Sequence, residues 1–150
     1  MSTKIDLKIQ TGIDLELFEQ GITFRLVRLI TRIRFQSENG WTKVSEAIVD
    51  TGSAVSVLPY VAWKDSSINL LSSHKVILRG LAPQKEAILQ ANIAEVTCVL
   101  LDGHEISRPL KIKAYLLLDD SAPLILGFED ILTEVKLVSD YKNDMAYFDI

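Results

Sequence analysis

An apolar stretch, Ala47-Ile48-Val49, runs straight into Asp50-Thr51-Gly52-Ser53 and continues as Ala54-Val55-Ser56-Val57-Leu58-Pro59. A carboxylate at the end of a buried strand is costly unless it is hydrogen-bonded or set there for acid–base work. The residues after Asp50 suit such work. Gly52 permits a sharp turn that carries backbone N–H groups toward the carboxylate. Thr51 can brace the loop through its hydroxyl. The Ser53 hydroxyl can donate to the carboxylate and favour its ionised form. A second segment, Pro123-Leu124-Ile125-Leu126-Gly127, is an apolar run ending in glycine, and its Ile125 comes about 75 positions after Asp50.

The elements that must position these segments read mainly as short strands. Residues 1–20 are mixed, turn acidic at Asp14, Glu16 and Glu19, and suit an N-terminal strand or arm. Ile22 to Phe35 alternates like a long strand, with its apolar face switching near Leu26–Val27, as at a bulge or a change of sheet. Its arginines, Arg25, Arg28, Arg32 and Arg34, read as a solvated face. Asn39-Gly40 is a hairpin signal and leads to a strand over 43–49 that delivers Asp50. Pro59 opens a short helix over 60–65. Strands follow near 76–78 and 87–89, on either side of a turn at Gly80-Leu81-Ala82-Pro83, and then at 96–101 and 112–118. Asp102-Gly103 marks the turn between the last two. A short helix is expected over 128–135. Two closing strands, at 136–139 and 145–150, are joined by a turn at 141–144. Many short strands with regular turn signals imply a mostly β domain.

The bulk properties narrow the function. The chain has 150 residues, enough for one domain and a core that needs no staples. A net charge of -4 gives no basic face for nucleic acid. The single cysteine, Cys98, excludes an internal disulfide, and its apolar neighbours suggest a buried, inert thiol. The N-terminus has no apolar leader, and no run is long enough to span a bilayer, so a cytoplasmic protein without a membrane partner is expected. Asp102-Gly103-His104-Glu105 reads as a polar turn rather than a metal site, because no other histidine or cysteine has ligand spacing. His74 reads as solvated, and Trp41 and Trp63 as packing residues.

Asp50-Thr51-Gly52-Ser53 resembles the active-site loop of aspartic proteases. Ile125-Leu126-Gly127 resembles the apolar-apolar-glycine motif that threads beside that loop. Order, spacing and length are similar to those of retropepsins, the single-domain branch. The segments 49–59 and 123–132 resemble most the free-standing retropepsin-like proteins of prokaryotes. The resemblance covers about residues 22–150.

It implies a single-domain acid-protease β-barrel over 1–150 with one short C-terminal helix. It also implies a homodimer that hydrolyses peptides or unfolded protein segments, with no metal and no cofactor. Only one Asp-Thr-Gly is present, so the second carboxylate would be Asp50 of another copy. Two carboxylates held together share one proton, one acting as base and the other as acid. A flap is implied at about 77–88, with Gly80, Leu81 and Ala82 at its mobile part. The alternative is a dimeric module of the same fold that holds peptides without cutting them. Two departures bear on this. Phe128-Glu129-Asp130 stands where viral members carry an arginine that ties the dimer together. Ser53 replaces their usual alanine, which implies a more acidic optimum.

Overall fold

The structure, a computed structural model, describes residues 2–79 and 88–150. Two strands, β1 (Lys4–Asp6) and β2 (Lys8–Ile13), lead to a five-residue helix, α1 (Leu15–Glu19). Then come β3 (Arg25–Ser37), β4 (Gly40–Trp41), β5 (Ser45–Val49), β6 (Ser56–Leu58), the one-turn helix α2 (Tyr60–Trp63) and β7 (Asn69–Leu70). They are followed by β8 (Val76–Arg79), β9 (Ile88–Leu101), β10 (Leu110–Leu117) and β11 (Ile125–Leu126). A 3-10 turn at Leu132–Glu134 precedes β12 (Lys136–Asp140) and β13 (Met145–Asp149). The protein is mostly β, as its alternating patterns and turn residues imply.

Barrel closure depends on β3. On one side it pairs with β5, Leu29 opposite Val49. On the other it pairs with β2 as far as Ile30, then leaves it and pairs with β9 from Arg32 to Phe35. That exchange of neighbours closes β3, β5, β11, β6, β10 and β9 into a six-stranded barrel. Leu29, Ile30 and Thr31 are buried in succession, and Ile33 and Phe35 then alternate into the core. The sequence pattern had put the change of face at Leu26–Val27 and the strand start at Ile22. In the structure the strand begins at Arg25, and Ile22, Phe24, Leu26 and Val27 are all exposed. Periodicity reports which side chains share a face, but not whether a second layer covers it.

Two further expectations change. The segments near 87–89 and 96–101 belong to one 14-residue strand, β9. It holds no glycine or proline to break it, and it pairs in turn with β8, β10, β7 and β3. The helix expected over 128–135, the one short C-terminal helix of the anticipated fold, is a turn followed by the 3-10 turn. Asp130 adopts φ 62°, a left-handed conformation that an α-helix of L residues cannot continue through. Its carboxylate is held by the Lys113 backbone N–H and Nζ, each at 2.9 Å. The helix after Pro59 also stops early, at Trp63.

The core fills the barrel with Ile33, Phe35, Leu100, Ile112, Leu116 and Leu126, all essentially inaccessible. Burying each such side chain contributes about 2–3 kcal/mol. Ile5 of β1 and Ala146 and Phe148 of β13 pack onto the same core. These strands belong to a separate sheet of order β1-β13-β12. β13 is therefore paired along both edges within the chain. Among the described residues no helix is long and apolar enough to cross a membrane.

Candidate active site

Asp50 sits where β5 ends, and β11 lies alongside. The Ile48 N–H donates to the Leu124 carbonyl at 2.9 Å, and the Asp50 N–H donates to the Leu126 carbonyl at 3.0 Å. β11 runs parallel to β5 and antiparallel to β6, with Ile125 facing both Ile48 and Val57. Ile125-Leu126-Gly127 thus threads between the strand that enters the Asp50 loop and the strand that leaves it. Residues 75 positions apart form one unit because each short strand needs the other's backbone partners.

Past β11 the loop is clamped by backbone contacts. The Phe128 N–H donates to the Ser53 carbonyl at 3.0 Å, and the Glu129 N–H to the Ala54 carbonyl at 2.9 Å. The buried Ser56 hydroxyl accepts the Gly127 N–H at 3.0 Å. A β-carbon on Gly127 would lie 2.6 Å from the Ser53 carbonyl oxygen and 2.8 Å from the Val55 carbonyl carbon. Only glycine permits this approach.

The Asp50 side chain is half-buried, and its Oδ1 accepts the Gly52 N–H at 2.8 Å. That is the turn-to-carboxylate contact expected from Gly52. Ser53 differs from expectation. Its hydroxyl donates to the Val55 carbonyl at 2.7 Å, so its one proton is spent inside the loop rather than on Asp50. The chain leaves Ser53 toward β6, and the Val55 carbonyl just before that strand accepts the hydroxyl. The more acidic optimum expected from Ser53 therefore has no donor behind it in this chain. Thr51 is exposed and braces nothing through its hydroxyl among the described residues.

Asp50 and Thr51 open onto a cleft of about 430 Å³, walled by Arg28 and Leu29 of β3 and by Leu137 and Tyr141 at the C-terminal hairpin. Sequence reasoning missed two parts of this site. Arg28 was read with the solvated arginines, yet it lines the Asp50 cleft; the register of Leu29 with Val49 puts it there. Ser56 looked like one more small residue. Its place in an apolar run, Val55-Ser56-Val57, was the only signal that its hydroxyl would be buried and need a partner.

Gly80, Leu81 and Ala82 lie outside the described residues. The strands flanking them, β8 and β9, pair antiparallel up to Arg79 opposite Ile88. His74 and His104 are exposed, and among the described residues no three His, Cys, Asp or Glu side chains cluster to hold a metal. Trp63 is half-buried and donates through Nε1 to the Leu117 carbonyl at 2.8 Å, whereas Trp41 is exposed. A second cavity of about 290 Å³ is lined by Asp6, Arg32, Glu46 and Asp102. The Asp102 carboxylate there is already engaged by the N–H groups of Asp6, His104 and Glu105. Compared with family models, curated proteins and solved structures, the chain has no significant match.

Proposed function

We propose that this chain is an aspartic endopeptidase of retropepsin-like fold, active as a homodimer in which Asp50 of each copy supplies one carboxylate. The observation that carries this reading is the union of the two motifs. Asp50 is bonded through its amide to Leu126, its carboxylate is oriented by the Gly52 N–H, and Gly127 packs without a side chain against the loop. A loop clamped that firmly holds a carboxylate in fixed geometry, which acid–base work on water requires.

In the dimer, two Asp50 carboxylates share one proton. The ionised one takes a proton from a water molecule as its oxygen attacks the peptide carbonyl carbon. The protonated one gives its proton to the carbonyl oxygen. The resulting tetrahedral diol collapses as the C–N bond breaks: the leaving amine takes a proton from the dyad, and one diol hydroxyl returns a proton to it as that carbon becomes the carboxyl. The products are a carboxylic acid and an amine, and the dyad ends with its single proton. The substrate class is an extended peptide or an unfolded protein segment.

A second reading is a dimer of this fold that binds peptides without cutting them. Glu129 and Asp130 favour it, because both pair with Lys113 of their own chain, at 3.3 and 2.9 Å. That segment carries no arginine to tie two copies together. Peptide-library digestion followed by mass spectrometry decides between the readings. Cleavage that rises more steeply than linearly with protein concentration and disappears in Asp50→Asn supports the protease. Peptide binding by both forms, with no cleavage by either, supports the binding module.

A further inference from the structure

β3 runs antiparallel to β5, with Leu29 opposite Val49, so its residues before Leu29 continue past Asp50 in the direction in which β5 ends. At about 3.3 Å per residue, the β2–β3 ribbon overhangs Asp50 by roughly 10 Å before its tip begins. The tip is α1, capped by the Asp14 carboxylate on the Leu17 N–H at 3.1 Å. Among the described residues nothing covers this arm. Leu15, Phe18, Phe24, Leu26 and Val27 are between 45% and 68% exposed. A two-stranded ribbon without a covering layer is marginal in water, and contiguous exposed apolar side chains mark an interface.

We infer that this arm, residues 13–27, clasps a second copy of the chain and builds the dimer. The inference rests on the dimeric-protease reading, and three features identify the partner. First, the site needs a second Asp50, and the arm projects into the side where that copy must lie. Second, β13 has no free edge, because β1 and β12 occupy both, so intact terminal strands leave it nothing to exchange. Third, the arm carries acids at its tip, Glu16 and Glu19, with arginines on the ribbon strand behind it, Arg25 where the ribbon meets the tip and Arg28 just below the arm. None of these makes an ion pair among the described residues. Two arms related by a two-fold axis, each laying its acidic tip along the other's ribbon, set opposite charges against each other twice. Large apolar side chains left half exposed offer on the order of 500 Å² for burial, much of the roughly 800 Å² per partner of a standard interface. A membrane surface also suits an apolar tip, but lipid-binding tips surround it with Lys and Arg, whereas this one carries Asp14, Glu16 and Glu19.

The test is sedimentation equilibrium of the full chain as wild type, as Phe18→Glu/Phe24→Glu, and as Asp50→Asn, with far-UV circular dichroism as the folding control. A separate Phe18→Cys variant, carrying a polarity-sensitive dye, reads the arm directly, because the native Cys98 is buried. The expected result is a dimer dissociation constant at least tenfold weaker in the double variant, an unchanged one in Asp50→Asn, and a blue shift of the dye as protein concentration rises. An unchanged dissociation constant in a folded double variant overturns the inference, as does a wild type that stays monomeric at tens of micromolar. A dye that shifts only with phosphatidylcholine–phosphatidylglycerol vesicles overturns it in favour of a membrane. Arm-dependent dimers that never cleave peptides leave the clasp standing and defeat the protease reading. Cleavage abolished by Asp50→Asn but indifferent to the arm variants does the reverse.

Discussion

The α-carbon of Gly127 packs so close to Ser53 that a β-carbon would stand 2.6 Å from the Ser53 carbonyl oxygen. The atoms in the way are backbone, so relief requires the Asp50 loop to move. Gly127→Ala is expected to cost about 1–3 kcal/mol and, on the proposed protease reading, to lower cleavage more than stability alone explains. Gly103→Ala, where a β-carbon meets nothing within 4 Å, is the control and should stay within about 0.5 kcal/mol. Chemical denaturation of both variants checks this.

Ser56→Ala removes the buried acceptor of the Gly127 N–H. An unsatisfied buried donor costs about 1–3 kcal/mol. The loss should appear in the denaturation midpoint without a change in its slope.

Ser53→Ala separates two roles for one hydroxyl. The Ser53 hydroxyl donates to Val55, not to Asp50. The variant should lose about 1 kcal/mol of stability and keep the pH–rate profile of the wild type. A profile displaced toward higher pH would show that the hydroxyl reaches the carboxylate in the proposed dimer.

Burial pushes the Cys98 thiol up to about 12. In the unfolded chain an ordinary thiol ionises first, so above about pH 9 the unfolded state binds fewer protons than the folded one. Stability should therefore fall as pH rises from there toward 12. Native protein should resist iodoacetamide at pH 8, and urea-unfolded protein should react fully.

Asp102 works with the opposite sign. Partial burial raises its carboxyl, but the backbone donors Asp6, His104 and Glu105 outweigh this and hold it below the ordinary carboxylate range. Its contribution is present above about pH 4 and is lost as the folded carboxylate is protonated in stronger acid. Asp102→Ala should loosen β1, which Asp102 ties through the Asp6 N–H at 2.7 Å. Faster hydrogen exchange at the β1 amides would report it.

Local chemistry is what the sequence by itself determined. Strand alternation and turn residues marked a mostly β chain, because period-two burial and turn conformations depend on neighbours in sequence. Asp50-Thr51-Gly52 and Ile125-Leu126-Gly127 were legible because a carboxylate turn and a close backbone approach each demand particular residue types. The tertiary structure alone decided which partners those residues meet. The sequence allowed the Ser53 hydroxyl to face Asp50, but as the chain returns into β6 that hydroxyl donates to the Val55 carbonyl. The left-handed Asp130, held by Lys113 from β10, ends a helix that the pattern over 128–135 favoured. The pairing of β3 with β9 closes the barrel and, among the described residues, leaves the start of β3 without a covering layer. An apolar residue reads the same in the sequence whether its own chain covers it or not. Phe24 and Phe35 belong to one run, yet Phe35 is fully buried and Phe24 is 59% exposed, because only long-range pairing supplies the covering layer.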